Sequence, residues 1–156
     1  MTARNDVELQ NLIDSAVQKA LDFTTVEVLQ KLEDYIQTEV YDVHSEWEDL
    51  GFRTGEFKES WDRSNAKVVA QGIIESEIFQ NVSVMKTSLN PPIHIDKDSL
   101  AQIINSGVGY NFGAFEGMAR PFWDNFLTWL NGNLIKIFHK YCNNVGLPTS
   151  ISFGTV

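Results

Sequence analysis

The chain is expected to be α+β: a long N-terminal amphipathic helix and a C-terminal helix packed on a small antiparallel sheet. Three observations carry that expectation. Apolar residues recur at three- and four-residue steps near both ends, β-branched residues cluster between them, and the elements run helix, strands, helix rather than alternating. With 156 residues and 43% hydrophobic side chains, the chain has material for one core. The expected organisation is one assembly domain over residues 1–147 and a C-terminal tail over 148–156.

The front helix follows from Leu9, Leu12, Ile13, Ala16, Val17, Ala20 and Leu21, continued by Val28, Leu29, Leu32, Tyr35, Ile36 and Val40. Neither Gly nor Pro interrupts this run, although Thr24-Thr25 marks a place where two shorter helices would part. Residues 43–55 read as a loop anchored by Trp47, Leu50 and Phe52, after which a short helix or turn carries Phe57 and Trp61. Val68, Val69, Ile73, Ile74 and Ile78 predict one or two strands, with Gly72 as a candidate bulge and Val82 to Met85 as an extension of the sheet. Asn90-Pro91-Pro92 breaks regular structure, and Ile93-His94-Ile95 is a candidate short strand.

A short helix over residues 98–105 begins after Asp96 as N-cap and stops at Gly107. A Gly-rich loop leads from Gly107 to Pro121. That proline suits the first position of a helix carrying Phe122, Trp123, Phe126, Leu127, Leu130, Leu134, Ile135, Ile137, Phe138 and Tyr141. Gly146 and Pro148 end it.

Charge narrows the partners. The net charge is −9. Residues 1–62 hold five Lys or Arg against fifteen Asp or Glu, a balance of −10, and the remainder is near neutral. Such a surface repels phosphate, so DNA held by its backbone is not expected. It suits a basic partner, or a wall that DNA passes without sticking. Glu27, Glu33 and Asp34 are the candidate acidic DNA-facing or partner-facing residues, and their reversal to Lys is expected to spare the fold while impairing DNA passage or joining. A merely solvated helix face is the plainer reading of the same residues.

Residues for chemistry are sparse. Cys142 is the only cysteine, which excludes an internal disulfide and fits a reducing compartment. Beside Phe138 and Tyr141 it reads as a packed thiol, not a nucleophile. His44, His94 and His139 fall in three separate elements, and none has a metal or nucleophile spacing. The densest possible ligand cluster is Asp42, His44, Glu46, Glu48 and Asp49, which lacks the Gly and Asn offsets of a hard-cation loop. Gly107, Gly109 and Gly113 give GxGxxxG, not the dinucleotide fingerprint, and no GxSxG, HExxH or Walker lysine occurs. Phe122, Trp123, Phe126 and Trp129 lack interleaved basic residues, so core packing explains them better than base stacking. No enzyme, metal or cofactor is expected. No apolar run reaches the ~20 residues of a membrane span, and no basic-then-apolar leader opens the chain.

Two stretches resemble a family of long-tailed bacteriophage proteins, the HK-ninety-seven gp-ten-like tail-component or neck proteins. The first is Thr54-Gly55-Glu56-Phe57-Lys58-Glu59-Ser60. The second runs from Ile103-Ile104-Asn105-Ser106-Gly107 through Gly109-Tyr110 to Ala119-Arg120-Pro121-Phe122. With the element order, the resemblance covers roughly residues 5–145. Arg120-Pro121-Phe122 is its most specific part: Pro121 pre-sets the helix entry, Phe122 is an apolar anchor, and Arg120 can pair with an acid. Asn105 stands where the family usually has Glu, Val108 where it has Thr, and Asn125 and Phe126 where it has small residues.

The resemblance implies a structural subunit of the virion neck that forms a ring or collar between head and tail. Its partners would be further copies of itself, head-completion or adaptor proteins, and tail-terminator or tail-tube proteins. DNA would only pass through the channel, with no sequence-specific binding. Assembly would occur in the host bacterial cytoplasm. A tail-terminator or tail-completion role is the nearest alternative, and a non-viral cytosolic binding module is the reading from another class.

Overall fold

The computed structural model describes residues 5–43, 55–85, 99–108 and 119–147. Its elements are helices α1 (Asp6–Ile36), α2 (Glu56–Glu59), α3 (Leu100–Ser106) and α4 (Phe122–Asn144), and strands β1 (Trp61–Arg63), β2 (Lys67–Ala70), β3 (Ile73–Glu75) and β4 (Ile78–Gln80). The fold is α+β, with the long N-terminal helix, the C-terminal helix and the small antiparallel sheet that the sequence predicts. The chain divides into two compact units. Met1–Val28, Arg63–Ile78 and Gly132–Val156 form the first, and Leu29–Asp62 and Phe79–Asn131 the second.

Helix α1 starts at Asn5, whose side-chain Oδ1 accepts the Glu8 N–H at 2.9 Å, satisfying one of the orphan donors of the first turn. Asp6 and Glu8 in that turn oppose the positive end of the helix dipole. Thr24 and Thr25 do not break it. Their hydroxyls donate to the carbonyls of Ala20 and Leu21, at 2.8 and 2.7 Å, so both are buried with their polar atoms satisfied inside the helix. The helix ends by widening into a π turn over Gln37–Tyr41, closed by the Asp42 N–H donating to the Gln37 carbonyl at 2.8 Å.

The buried positions of this segment include Ala20, Thr24, Val28, Leu32, Ile36 and Val40, every fourth residue. At 3.6 residues per turn a four-residue step overshoots a full turn by about 40°. The buried stripe therefore winds around the helix. Leu9 and Ile13, which the three- and four-residue pattern places on an apolar face, are instead 48% and 39% exposed.

In the first unit, Lys67 pairs with Glu75 and Val68 with Ile74 in the antiparallel β2–β3 hairpin. Gly72 is not a bulge. It has φ +73° and sits between Ala70 and Ile73, where the hairpin turns. The irregularity falls between Val68 and Ala70, where β2 carries one residue more than β3. The root of the hairpin is pinned to α1 at both backbone groups of one residue: Gln18 Nε2 donates to the Ala66 carbonyl at 2.6 Å, and Asp22 Oδ1 accepts the Ala66 N–H at 2.7 Å. All four residues of β2 are exposed, so among the described residues no helix covers this part of the sheet.

The sheet is two separate two-stranded ladders, β2 with β3 and β1 with β4. Strand β1 takes Trp61 out of the short helix or turn that the sequence suggests. Val82 to Met85 does not extend the sheet. Val82–Val84 is a 3-10 turn capped by Asn81, whose Oδ1 accepts the Ser83 N–H at 3.2 Å.

Helix α3 stops as expected at Gly107, whose φ of +71° lets its N–H close back on Ile103 at 2.8 Å. Helix α4 begins at Phe122, just after Pro121, whose carbonyl already accepts the Asn125 N–H. It ends in a Schellman turn: Gly146 at φ +83° donates to the Asn143 carbonyl and Leu147 to that of Cys142.

Candidate assembly site

In the second unit the two stretches that carry the family resemblance meet. Gly55, at φ +81°, turns the chain into α2, and Phe57 two residues on is buried. Its ring lies edge-on to Phe122 at 5.6 Å between centroids and 87° between planes. Phe122 is fully buried. The cluster continues from Phe57 to Trp61 at 6.3 Å, from Trp61 to Trp123 stacked at 5.4 Å, and from Trp123 to Phe126 at 5.6 Å. Each such pair contributes about 0.5–1.5 kcal/mol beyond its burial. These rings are occupied with one another, as expected for core packing rather than a base-stacking platform.

Arg120 is held at both its ends. Its N–H donates to the Ile104 carbonyl at 2.9 Å, and Nη1 donates to the Val40 carbonyl at 3.1 Å. Val40 lies in the π turn that ends the first helix, where carbonyls run out of intrahelical donors. Arg120 thus finishes a helix end, a role its place beside Pro121 does not reveal.

Asn105 supplies another contact that sequence reasoning misses. Its Oδ1 accepts the N–H of Trp123 at 3.1 Å and of Asp124 at 3.4 Å, while Nδ2 donates to Asp124 Oδ2 at 3.1 Å. It caps α4 from another helix, 18 residues away. The only available signal was an Asn at a place where the family usually has Glu. Thr54 lies outside the described residues, as do His44, His94, Gly109 and Gly113.

The acidic residues separate into different environments. Asp34 is exposed, and its carboxylate sits 3.7 Å from Lys31 Nζ, a surface pair contributing about 0–1 kcal/mol. Glu33 is half-buried. Glu27, in the first unit, accepts hydrogen bonds from Lys140 Nζ and, at 2.7 Å, from the Tyr141 hydroxyl. Tyr141 also stacks on Phe23 at 5.4 Å. Glu27 therefore ties α1 to α4 within its unit, and its reversal to Lys would set a new cation against Lys140.

These contacts hold the Glu27 carboxyl below the usual carboxylate range, mainly through the Lys140 hydrogen bond and then that of Tyr141. The hydrogen bond to Glu27 raises Tyr141 above the usual phenol range and Lys140 above the usual ammonium range. The depressed carboxyl contributes stability above its unfolded pKa, lost as pH falls through the lower folded value. The raised phenol and ammonium contribute below their unfolded pKa values, lost as pH rises through the higher folded ones. Melting temperature measured against pH is expected to fall on both the acid and the alkaline flank, and Glu27→Gln to flatten both falls. Unchanged flanks in that variant would show that the cluster does not stabilise the fold.

Among the described residues little else is arranged for chemistry. Cys142 is 2% exposed, and burial pushes its thiol up, away from the reactive thiolate. Among the described residues no group of three His, Cys, Asp or Glu is arranged to hold a metal ion, and no helix is long and apolar enough to cross a membrane. Apolar surface is what the described residues present: Val68, Val69 and Ile73 on the hairpin, and Leu127, Leu134 and Ile135 along α4, are all more than a third exposed. No family model, no curated protein and no solved structure matches the chain.

Proposed function

We propose that the chain is a structural subunit of a tailed-bacteriophage neck, which forms a ring or collar joining the DNA-filled head to the tail and catalyses nothing. The observation that carries this reading is the contact between Phe57 and Phe122. The two stretches similar to the neck and tail-component family are separated by about forty residues in sequence, yet they build one buried junction together with Arg120. The exposed apolar side chains are the second support, since surfaces of that kind mark places where proteins join. The acidic first part of the chain fits a conduit wall that phosphate slides past. Its carriers are Glu33 and Asp34 rather than Glu27.

Phage particles deprived of the chain are expected to accumulate as filled heads and finished tails that do not join, visible by electron microscopy. Infectious virions at the normal yield in its absence would overturn the proposal. Chain found on isolated tails, and absent from isolated heads, would instead assign it to tail termination.

A further inference from the structure

We infer that the Lys67–Glu75 hairpin is where one copy of the chain joins the next: β3 of one copy adds, antiparallel, to β2 of its neighbour. This rests on the ring reading above and names the surface that builds the ring.

The hairpin is an incomplete structure by itself. Two strands alone are marginally stable in water, and a sheet becomes independent only with a third strand or a covering helix. Here β2 is exposed at every position and β3 at two of its three. Val68 at 47% and Val69 at 45% exposure leave the apolar side chains of β2 bare. Ile73, at 53%, adds to the same surface. Among the described residues each strand pairs only with the other, so each has one outer edge of unpaired N–H and C=O groups, a template for another strand. The base of the hairpin is nevertheless fixed, because Gln18 and Asp22 hold the carbonyl and the N–H of Ala66 just before it. Among the described residues nothing covers this anchored apolar hairpin, which leaves it open to a further strand.

Charge selects what it receives. Strand β2 carries Lys67 and no acid, while β3 carries Glu75 and no base. Like edges joined about a two-fold axis would set no Lys opposite a Glu. Unlike edges joined antiparallel repeat the register inside the hairpin, where Lys67 already faces Glu75, and place the same pair across each junction. An interface between unlike patches is head-to-tail, the geometry that generates a ring when its rotation closes. The extra residue of β2 between Val68 and Ala70 increases local twist, which turns each added hairpin away from a flat stack.

The test uses two single reversals, Lys67→Glu and Glu75→Lys, followed by sedimentation velocity. The unaltered chain is expected to form rings. Each variant alone presents two like-charged edges and is expected to lose the ring peak, while an equimolar mixture of the two restores assembly, since each then meets its opposite, as closed rings where the number of copies is even and as open arcs where it is odd. Within either variant's own hairpin the like charges persist after mixing, so recovery reports only contact between copies. Rings that survive in both single variants would overturn the hairpin contact and leave the ring reading standing. A mixture that stays dissociated would also overturn it. An unaltered chain that remains monomeric at every concentration would overturn the ring reading itself. Hydrogen exchange on the unaltered chain checks the same contact without any folding risk. Amides of residues 67–75 are expected to gain at least tenfold protection on assembly, and equal exchange in monomer and ring would refute the pairing.

Discussion

Phe122→Ala is expected to destabilise the protein by about 3–5 kcal/mol, the cost of emptying a buried aromatic site. The side chain is fully buried and meets Phe57 edge to face, so its loss removes apolar transfer energy and leaves a cavity that α2 fills only by moving. Urea titration followed by tryptophan fluorescence reads the change, because Trp61 and Trp123 stack on each other in the same cluster. The midpoint should fall steeply. A shift worth less than about 1 kcal/mol, below the range for such deletions, would mean that Phe57 and Phe122 do not share a close-packed core. The proposal that their junction is what the two family-like stretches exist to build would then lose its support.

Asp22→Ala is expected to cost about 1–3 kcal/mol, the penalty for leaving a buried donor unsatisfied. Its carboxylate accepts the N–H of Ala66, a residue only 3% exposed, and lies 3.4 Å from Arg63 Nη1. Removing the acid leaves that N–H without its acceptor while Gln18 still holds the carbonyl on the other side of the same residue. The root of the hairpin should loosen first. Amide exchange at Ala66 and Lys67 is expected to quicken more than the global stability change explains, which separates local opening from uniform loss. Asp22→Asn keeps an oxygen acceptor and should recover most of the effect. If Asp22→Ala leaves both melting temperature and exchange unchanged, the clamp is not what positions the hairpin.

Much of this fold is legible before any coordinates. The uninterrupted run after Asp6 gives α1, Pro121 and Gly146 bracket α4 to within a residue or two, and Gly107 ends α3 where a left-handed cap requires it. These features depend on near neighbours alone: capping, backbone freedom at glycine, and the fixed φ of proline act over one turn. Positions such as Thr24-Thr25 mislead because propensity describes an isolated helix. In the folded chain both hydroxyls find carbonyls four residues back.

Of the candidate site, the sequence supplies the membership and not the arrangement. Gly55, Phe57, Arg120, Pro121 and Phe122 are marked by their residue types, but that Phe57 packs on Phe122, that Arg120 seals the end of the first helix, and that Asn105 caps α4 are long-range facts. The acid count shows where negative charge is concentrated, yet only packing shows that Glu27 is engaged by Lys140 and Tyr141 while Asp34 faces solvent.

By itself the sequence determined the class of fold, the ends of the long helices and the acidity of the first part of the chain, because each is written in local chemistry or in composition. Only tertiary structure decided which apolar residues are covered. A period in the sequence names a face but not what lies against it, so Ile36 and Ile73 look alike as β-branched hydrophobes, and one is wholly buried while the other stands half in water.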